Sequence, residues 1–267
     1  PDRALAPDAE IVAVADYRLR YATYRADPDL QRLHQVLPMI AVWDDHESAN
    51  DSWKDGAQNH QSEEGAWAVR KAAAMQAYRE WLPVADTPYS AYQVGDLATL
   101  FRIDTRLEGR DQQFRLENVL EGAKDPQALM TALATFRDGA WADAERQLLG
   151  VAQEAWLGEA LAASKRAGTH WQVLVQQVLM GNLRTPRDIL RAAGDGLPDY
   201  VRTRLQAAAA ASSAGLPSNM DAWDGYPAAR ERVLRAALEA DANLVSLAGD
   251  THNAWAFDLA QDGARVG

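Results

Sequence analysis

Four consecutive ionisable side chains, Asp44-Asp45-His46-Glu47, stand directly after an apolar run, residues 39–43, that itself follows Pro38. The run reads as a buried strand, so the ionisable residues sit at a strand end. Three carboxylates and an imidazole crowded near a core repel one another, and a hard cation turns that repulsion into coordination. A second apolar run, residues 243–248, ends in the same style at Gly249-Asp250-Thr251-His252-Asn253. Two such strand ends, far apart in the chain, suggest one shared site for one or two metal ions. Paired ions activate water, hold a phosphate through its oxygens and stabilise the leaving oxygen of an in-line displacement. Two readings of His46 stand: a metal ligand, or a general acid or cation beside the transition state.

Other residues suit the same chemistry and also have plainer readings. Asn50 lies in a polar loop after Glu47, residues 48–61, where its amide oxygen is either a metal ligand or part of an ordinary turn. Arg106, in Asp104-Thr105-Arg106 at the end of a strand, is a fork for phosphate oxygens or the partner of a local salt bridge to Asp104 or a neighbour. Gln176 and Gln177 close the strand that begins at Trp171; buried amides need partners, and neighbouring backbone is the expected one, with a ligand or water as the alternative. His34, His60 and His170 have no comparable neighbours and read as ordinary histidines.

The elements that must position these groups alternate between helix and strand. Asp16 reads as the N-cap of a helix through Arg25, and Asp27-Pro28 starts a second helix towards Val36. Ser62 with Glu63 and Glu64 starts a third, whose Trp67, Ala74, Met75, Tyr78 and Leu82 face a core until Pro83 ends it. Residues 89–94 and 97–103 form a hairpin about a two-residue turn, Gly95-Asp96. Residues 110–137 lack sustained periodicity and read as a surface excursion. Helices over 145–149 and 153–163 precede the strand at Trp171, with Gly168 between; an alanine-rich helix and a flexible loop fill 184–218. The turn-rich stretch 221–227 enters a helix, 228–239, that leads to the last ligand strand. This is an α/β arrangement with a mixed sheet, whose ligands gather outside strand ends.

The 267 residues, 48% of them hydrophobic, are enough for one large domain over 1–267. No apolar run is long enough to span a bilayer. The absence of cysteine removes disulfides and thiolate ligands, leaving oxygen and imidazole donors. A net charge of −11 argues against a nucleic-acid backbone as partner, although metals reverse the local sign where phosphate binds. The chain opens at Pro1 without a methionine, shows no signal-peptide pattern and ends just after a strand-like segment, so both ends read as cut from something longer.

These residues carry a family resemblance. Asp16-Tyr17-Arg18 with Arg20-Tyr21 and Tyr24-Arg25, Trp43-Asp44-Asp45-His46-Glu47 with Asn50, Asp104-Thr105-Arg106, residues 171–178, Trp223-Asp224-Gly225-Tyr226 and Gly249-Asp250-Thr251-His252-Asn253 together resemble the alkaline phosphatase D (PhoD-like) metallophosphatases. The resemblance implies the calcineurin-like metallophosphoesterase fold, a sandwich of mixed β-sheets flanked by α-helices, here incomplete at both ends. It implies Asp45, Asp250 and His252 as metal ligands, His46 as the catalytic neighbour and Arg106 as the phosphate contact. It further implies iron and calcium, as Fe3+ and Ca2+, a small phosphate ester as substrate, and secretion by the twin-arginine route. The chain lacks the family's early strand ending in a Gly-Asp-x-x-Tyr-type motif, which supplies a bridging aspartate and a tyrosine ligand. The isolated polypeptide is therefore expected to bind metal weakly or turn over poorly. The expected function is metal-dependent hydrolysis of phosphomonoesters or phosphodiesters by a metal-bound water. The alternative is a non-catalytic, metal-stabilised binding or structural module; esterase or sulfatase chemistry on the same scaffold ranks third.

Overall fold

The structure is a computed structural model and describes residues 4–85, 87–123 and 125–267. Its framework is a four-stranded sheet in the order β1 (Ser90–Val94), β2 (Ala98–Arg102), β3 (Trp171–Val175) and β4 (Leu244–Leu247). β1 and β2 pair antiparallel, whereas β2, β3 and β4 run parallel. Parallel strands carry their C-terminal ends to one edge of a sheet. Residues 103–106, 176–177 and 248–250 therefore emerge side by side, although long helical crossovers separate them in the chain.

The helices in chain order are α1 (Val14–Arg25), α2 (Pro28–Val36), α3 (Trp67–Trp81), α4 (Leu116–Val119), α5 (Pro126–Asp138), α6 (Val151–Arg166), α7 (Ile189–Ala193), α8 (Asp199–Ser213) and α9 (Pro227–Glu239). A small antiparallel ladder, β5 (Ala260–Gln261) with β6 (Ala264–Arg265), follows β4. The main core lies between the sheet and the packed pair α6 and α9, with Phe101 and Leu174 meeting Leu157, Leu161, Val233 and Ala237. A second cluster holds Trp43 against Tyr78 and Leu107, joining α3 to the segment that carries the acidic residues. α5 and the end of α8 share a third, around Leu133, Phe136 and Ala211.

Several expectations are corrected. Residues 39–43 belong to no ladder among the described residues, and Met39 and Ile40 are 42% and 37% exposed. Side chains do the tethering there: Arg102 Nη1 donates to the Ala41 carbonyl at 3.4 Å and Gln177 Nε2 to that of Trp43 at 2.7 Å. Asp16 is the third residue of α1, not its cap; Ala13 is the cap, and the Asp16 carboxylate reaches back to accept the Val12 and Ala13 amides. Ser62–Glu64 form a separate 3-10 turn, broken from α3 at Gly65, whose φ of 88° lies in the left-handed region that favours glycine. The hairpin register pairs Val94 with Ala98, so its loop has three residues rather than two.

Residues 110–137 are no surface excursion. Arg110 is wholly buried, and α5, capped by Asp125 with Pro126 in its first turn, packs Leu133 and Phe136 inward. Their burial is against α8, a partner distant in sequence. Residues 145–149 are not helical; they form a close-packed turn into α6, in which Leu148 and Leu149 are buried. Here a Cβ on Gly109 would lie 2.3 Å from the Gly150 Cα, and that backbone contact takes the place of another helical turn. The N-cap role of Asp27 and the alanine-rich helix are as expected.

Candidate active site

Asp104, first of the polar residues past β2, is fully buried and turns the chain: its Oδ1 accepts the amides of Arg106 at 2.7 Å and Leu107 at 3.0 Å. This turn points the Arg106 side chain along the sheet edge, where it is 0% exposed and lies among aspartates from three other segments. Its Nε donates to Asp44 Oδ1 at 2.6 Å, its Nη1 to both Asp221 oxygens at 2.8 and 2.9 Å, and its Nη2 to Asp250 Oδ1 at 3.0 Å. Arg110, also buried, donates to the Asp221 carboxylate and, at 2.6 Å, to the Asp221 carbonyl.

Asp44, Asp45 and Asp250 each offer a carboxylate oxygen, and these atoms lie within 4.8 Å of one another. Their backbones are fixed locally. The Asp44 amide donates to Glu47 Oε2 at 2.7 Å; the Asp45 carboxylate accepts the His46 and Asp51 amides, both at 2.9 Å. Asp250 and His252 both adopt positive φ, 68° and 56°, a conformation that costs energy outside glycine and that clusters at functional loops. The expected union of the two acidic strand ends is thus present at Asp45 and Asp250.

The other expected residues fall around that centre. His46 is 74% exposed, with Nε2 3.7 Å from Asp45 Oδ2, beside the carboxylates and open to solvent. His252 is exposed, two residues beyond Asp250, and outside the three-carboxylate group. Asn50 donates through Nδ2 to Gln58, which spans the loop as a turn former does. Arg106 is salt-bridged, with Asp44, Asp221 and Asp250 as partners; Asp104 holds its backbone instead. Three further residues contribute: Asp44, to which the sequence assigns no separate role in the cluster, Asp221, which by sequence is a turn residue, and Arg110, which by sequence opens a surface excursion. Only the acidic run around Asp44 carried a signal; the pairing of Asp221 with two arginines is a long-range contact that no spacing encodes.

The charges explain the protonation pattern. Burial, with Asp221, Asp44 and Asp45 nearby, outweighs Arg106 and pushes the Asp250 carboxyl up to about 6. Burial likewise raises Asp44 and Glu47. At Asp221 burial is overcome by Arg110 and Arg106, which hold it below the ordinary range. Burial works against the Arg106 charge, but Asp221, Asp44, Asp45 and Asp250 keep it protonated.

A residue-by-residue family model, that of the PhoD-like phosphatases, matches residues 1–266. The chain belongs to this family. This PhoD-like chain is 33% identical over 264 residues to alkaline phosphatase D of Bacillus subtilis (strain 168), covering 95% of the chain and 38% of that protein. A solved structure titled "Structure of PhoD" superposes with a TM-score of 0.65 at 31% identity, over 92% of the chain and 40% of its own. The chain thus spans about two fifths of the length of the relatives it matches. The mixed α/β fold expected of PhoD-like proteins is the one observed. No helix among the described residues is long and apolar enough to cross a membrane.

The donor set of this candidate site fits a hard cation: clustered carboxylate oxygens and no thiolate, with burial and, after it, the neighbouring carboxylates raising Asp250. That shift is measurable in metal-free protein. Because the folded state holds a proton on Asp250 up to about pH 6 and the unfolded chain releases it near 3.8, the associated stability is present at low pH and lost as pH rises through about 6. In chelator, wild-type unfolding free energy should fall by about 2 kcal/mol more than that of Asp250→Asn between pH 4 and pH 7. Parallel urea-denaturation profiles for the two proteins would exclude this.

Proposed function

We propose that this domain hydrolyses phosphate esters, mono- or diesters, with metal ions held by Asp45, Asp250 and His252, joined by Asp44, and with Asn50 as a further oxygen donor. The observation that carries the reading is the meeting of Asp44, Asp45 and Asp250, from two segments remote in sequence, within 4.8 Å beside a buried arginine. When bound, hard ions there supply charge neutralisation and a lowered pKa for water, which answers the difficulty of bringing a nucleophile to an anion. Ca2+ and Fe3+ are the ions we expect, on the strength of the family resemblance.

The chain's own residues divide the remaining work. Arg106 contacts the phosphate by exchanging its single bond to Asp44 or Asp250 for a phosphate oxygen, while the twofold bond to Asp221 keeps it oriented. His46, exposed next to Asp45, gives a proton to the leaving alkoxide. Glu47 fixes the Asp44 backbone. An exported location accompanies this reading and is checked by fractionating cells that express the natural protein.

Hydrolysis of p-nitrophenyl phosphate and of its bis-ester should be abolished by chelator and restored by Ca2+ with Fe3+. Metal-dependent melting without turnover would instead favour a metal-stabilised binding module. Turnover by the 267 residues alone should be low, because the tyrosine-bearing motif that the resemblance assigns to the site is not among them. Equal activity from a longer chain containing that motif would overturn this.

A further inference from the structure

Of the segments that meet at the site, those carrying Asp44, Arg106 and Asp250 are all bonded to one residue. Gln177, 2% exposed, stands just past the end of β3. Its Nε2 donates to the Trp43 carbonyl at 2.7 Å, immediately before Asp44. Its Oε1 accepts the Thr105 amide at 3.0 Å and the Thr105 hydroxyl at 2.6 Å, immediately before Arg106. Its backbone carbonyl accepts the Gly249 amide at 2.9 Å, immediately before Asp250.

The geometry points to Gln177 as a positioning residue that sets the separation of Asp44 and Asp45 from Asp250 and thereby the cation affinity of the site. The inference rests on the metal-site reading of the preceding subsection. Only a carboxamide does this work: one end must accept twice and the other must donate, so glutamate would face the Trp43 carbonyl with a second acceptor. Residues 39–43 join no ladder among the described residues, so loss of the amide loosens the Asp44-Asp45 end, while the backbone bond keeps Asp250 on β3. Groups that orient ligands from behind typically change metal affinity by about 10–100-fold when removed.

Gln176 provides a matched control. It is equally buried, and its amide bonds Ser246 Oγ at 2.8 Å and Trp223 Nε1 at 2.6 Å, neither of which adjoins a carboxylate of the site. The probe is Tb3+, a hard ion, followed by tryptophan-sensitised luminescence in the metal-free chain. Gln177→Met should weaken Tb3+ binding by about 10–100-fold, whereas Gln176→Met should leave it within about threefold even where both lower the melting temperature alike. Equal affinity in wild type and Gln177→Met, or equal weakening in both variants, overturns the inference. If Gln177→Met does not fold, Thr105→Val, which deletes only the hydroxyl bond, should weaken binding in the same direction, and unchanged affinity there is equally decisive against it. Failure of the metal reading itself looks different: wild type and Asp45→Asn would give the same Tb3+ titration, and both proposals would fall together.

Discussion

Asp45→Asn is expected to lower kcat/KM for a phosphate ester by about a thousandfold, the effect of losing about 4 kcal/mol of charge stabilisation at a metal-held transition state. Two things make the substitution selective. Asparagine keeps one acceptor oxygen in place for the His46 or Asp51 amide, so the turn after Trp43 loses at most one hydrogen bond, about 1 kcal/mol. What it removes is the negative charge from the three-carboxylate group. Urea denaturation of the metal-free variant should therefore nearly overlay that of wild type while steady-state turnover collapses. His252→Ala is expected to act in the same sense on turnover with no loss of stability, since the imidazole is exposed. Near-full turnover in both variants would remove the site assignment.

Arg106→Ala should be the most destabilising single change in the site. The guanidinium is fully buried and is bonded to Asp44, Asp221 and Asp250, whose side chains are between 19% and 29% exposed. Removing one member of a buried ion pair strands the others, at about 3–5 kcal/mol, which for a chain of this size lowers the melting temperature by roughly 10 °C. The mechanism is uncompensated charge, so it has a signature: adding Asp44→Asn, whose arginine partner is Arg106, should recover part of the loss of Arg106→Ala, and acid should narrow the gap between variant and wild type as the carboxyls protonate. A lost-packing origin predicts neither. Arg106→Lys keeps the charge but not the fork, and should fall between. Strictly additive single and double variants would show that the aspartates do not depend on this arginine.

Much of this protein is legible from residue order alone. The acidic ends of the two apolar runs named Asp45 and Asp250 as neighbours, and the hairpin and the alanine-rich helix follow from local patterning; of the two buried glutamines, Gln177 takes the expected backbone partners, whereas Gln176 bonds the side chains of Ser246 and Trp223 instead. Those features depend on short-range preferences or on the general cost of burying charge, and both are properties of composition and spacing. The segment 39–43 shows the limit. An apolar run beside a proline looks the same whether or not a strand lies alongside it, and only the fold reveals that side chains of Arg102 and Gln177 take the ladder's place. Arg106 with Asp221, Arg110 in the interior and α5 against α8 are likewise decided in three dimensions. The reason is physical: an ion pair or a buried face is specified by distance through space, and chain separation bears no relation to that distance until parallel strands have delivered their ends to one edge.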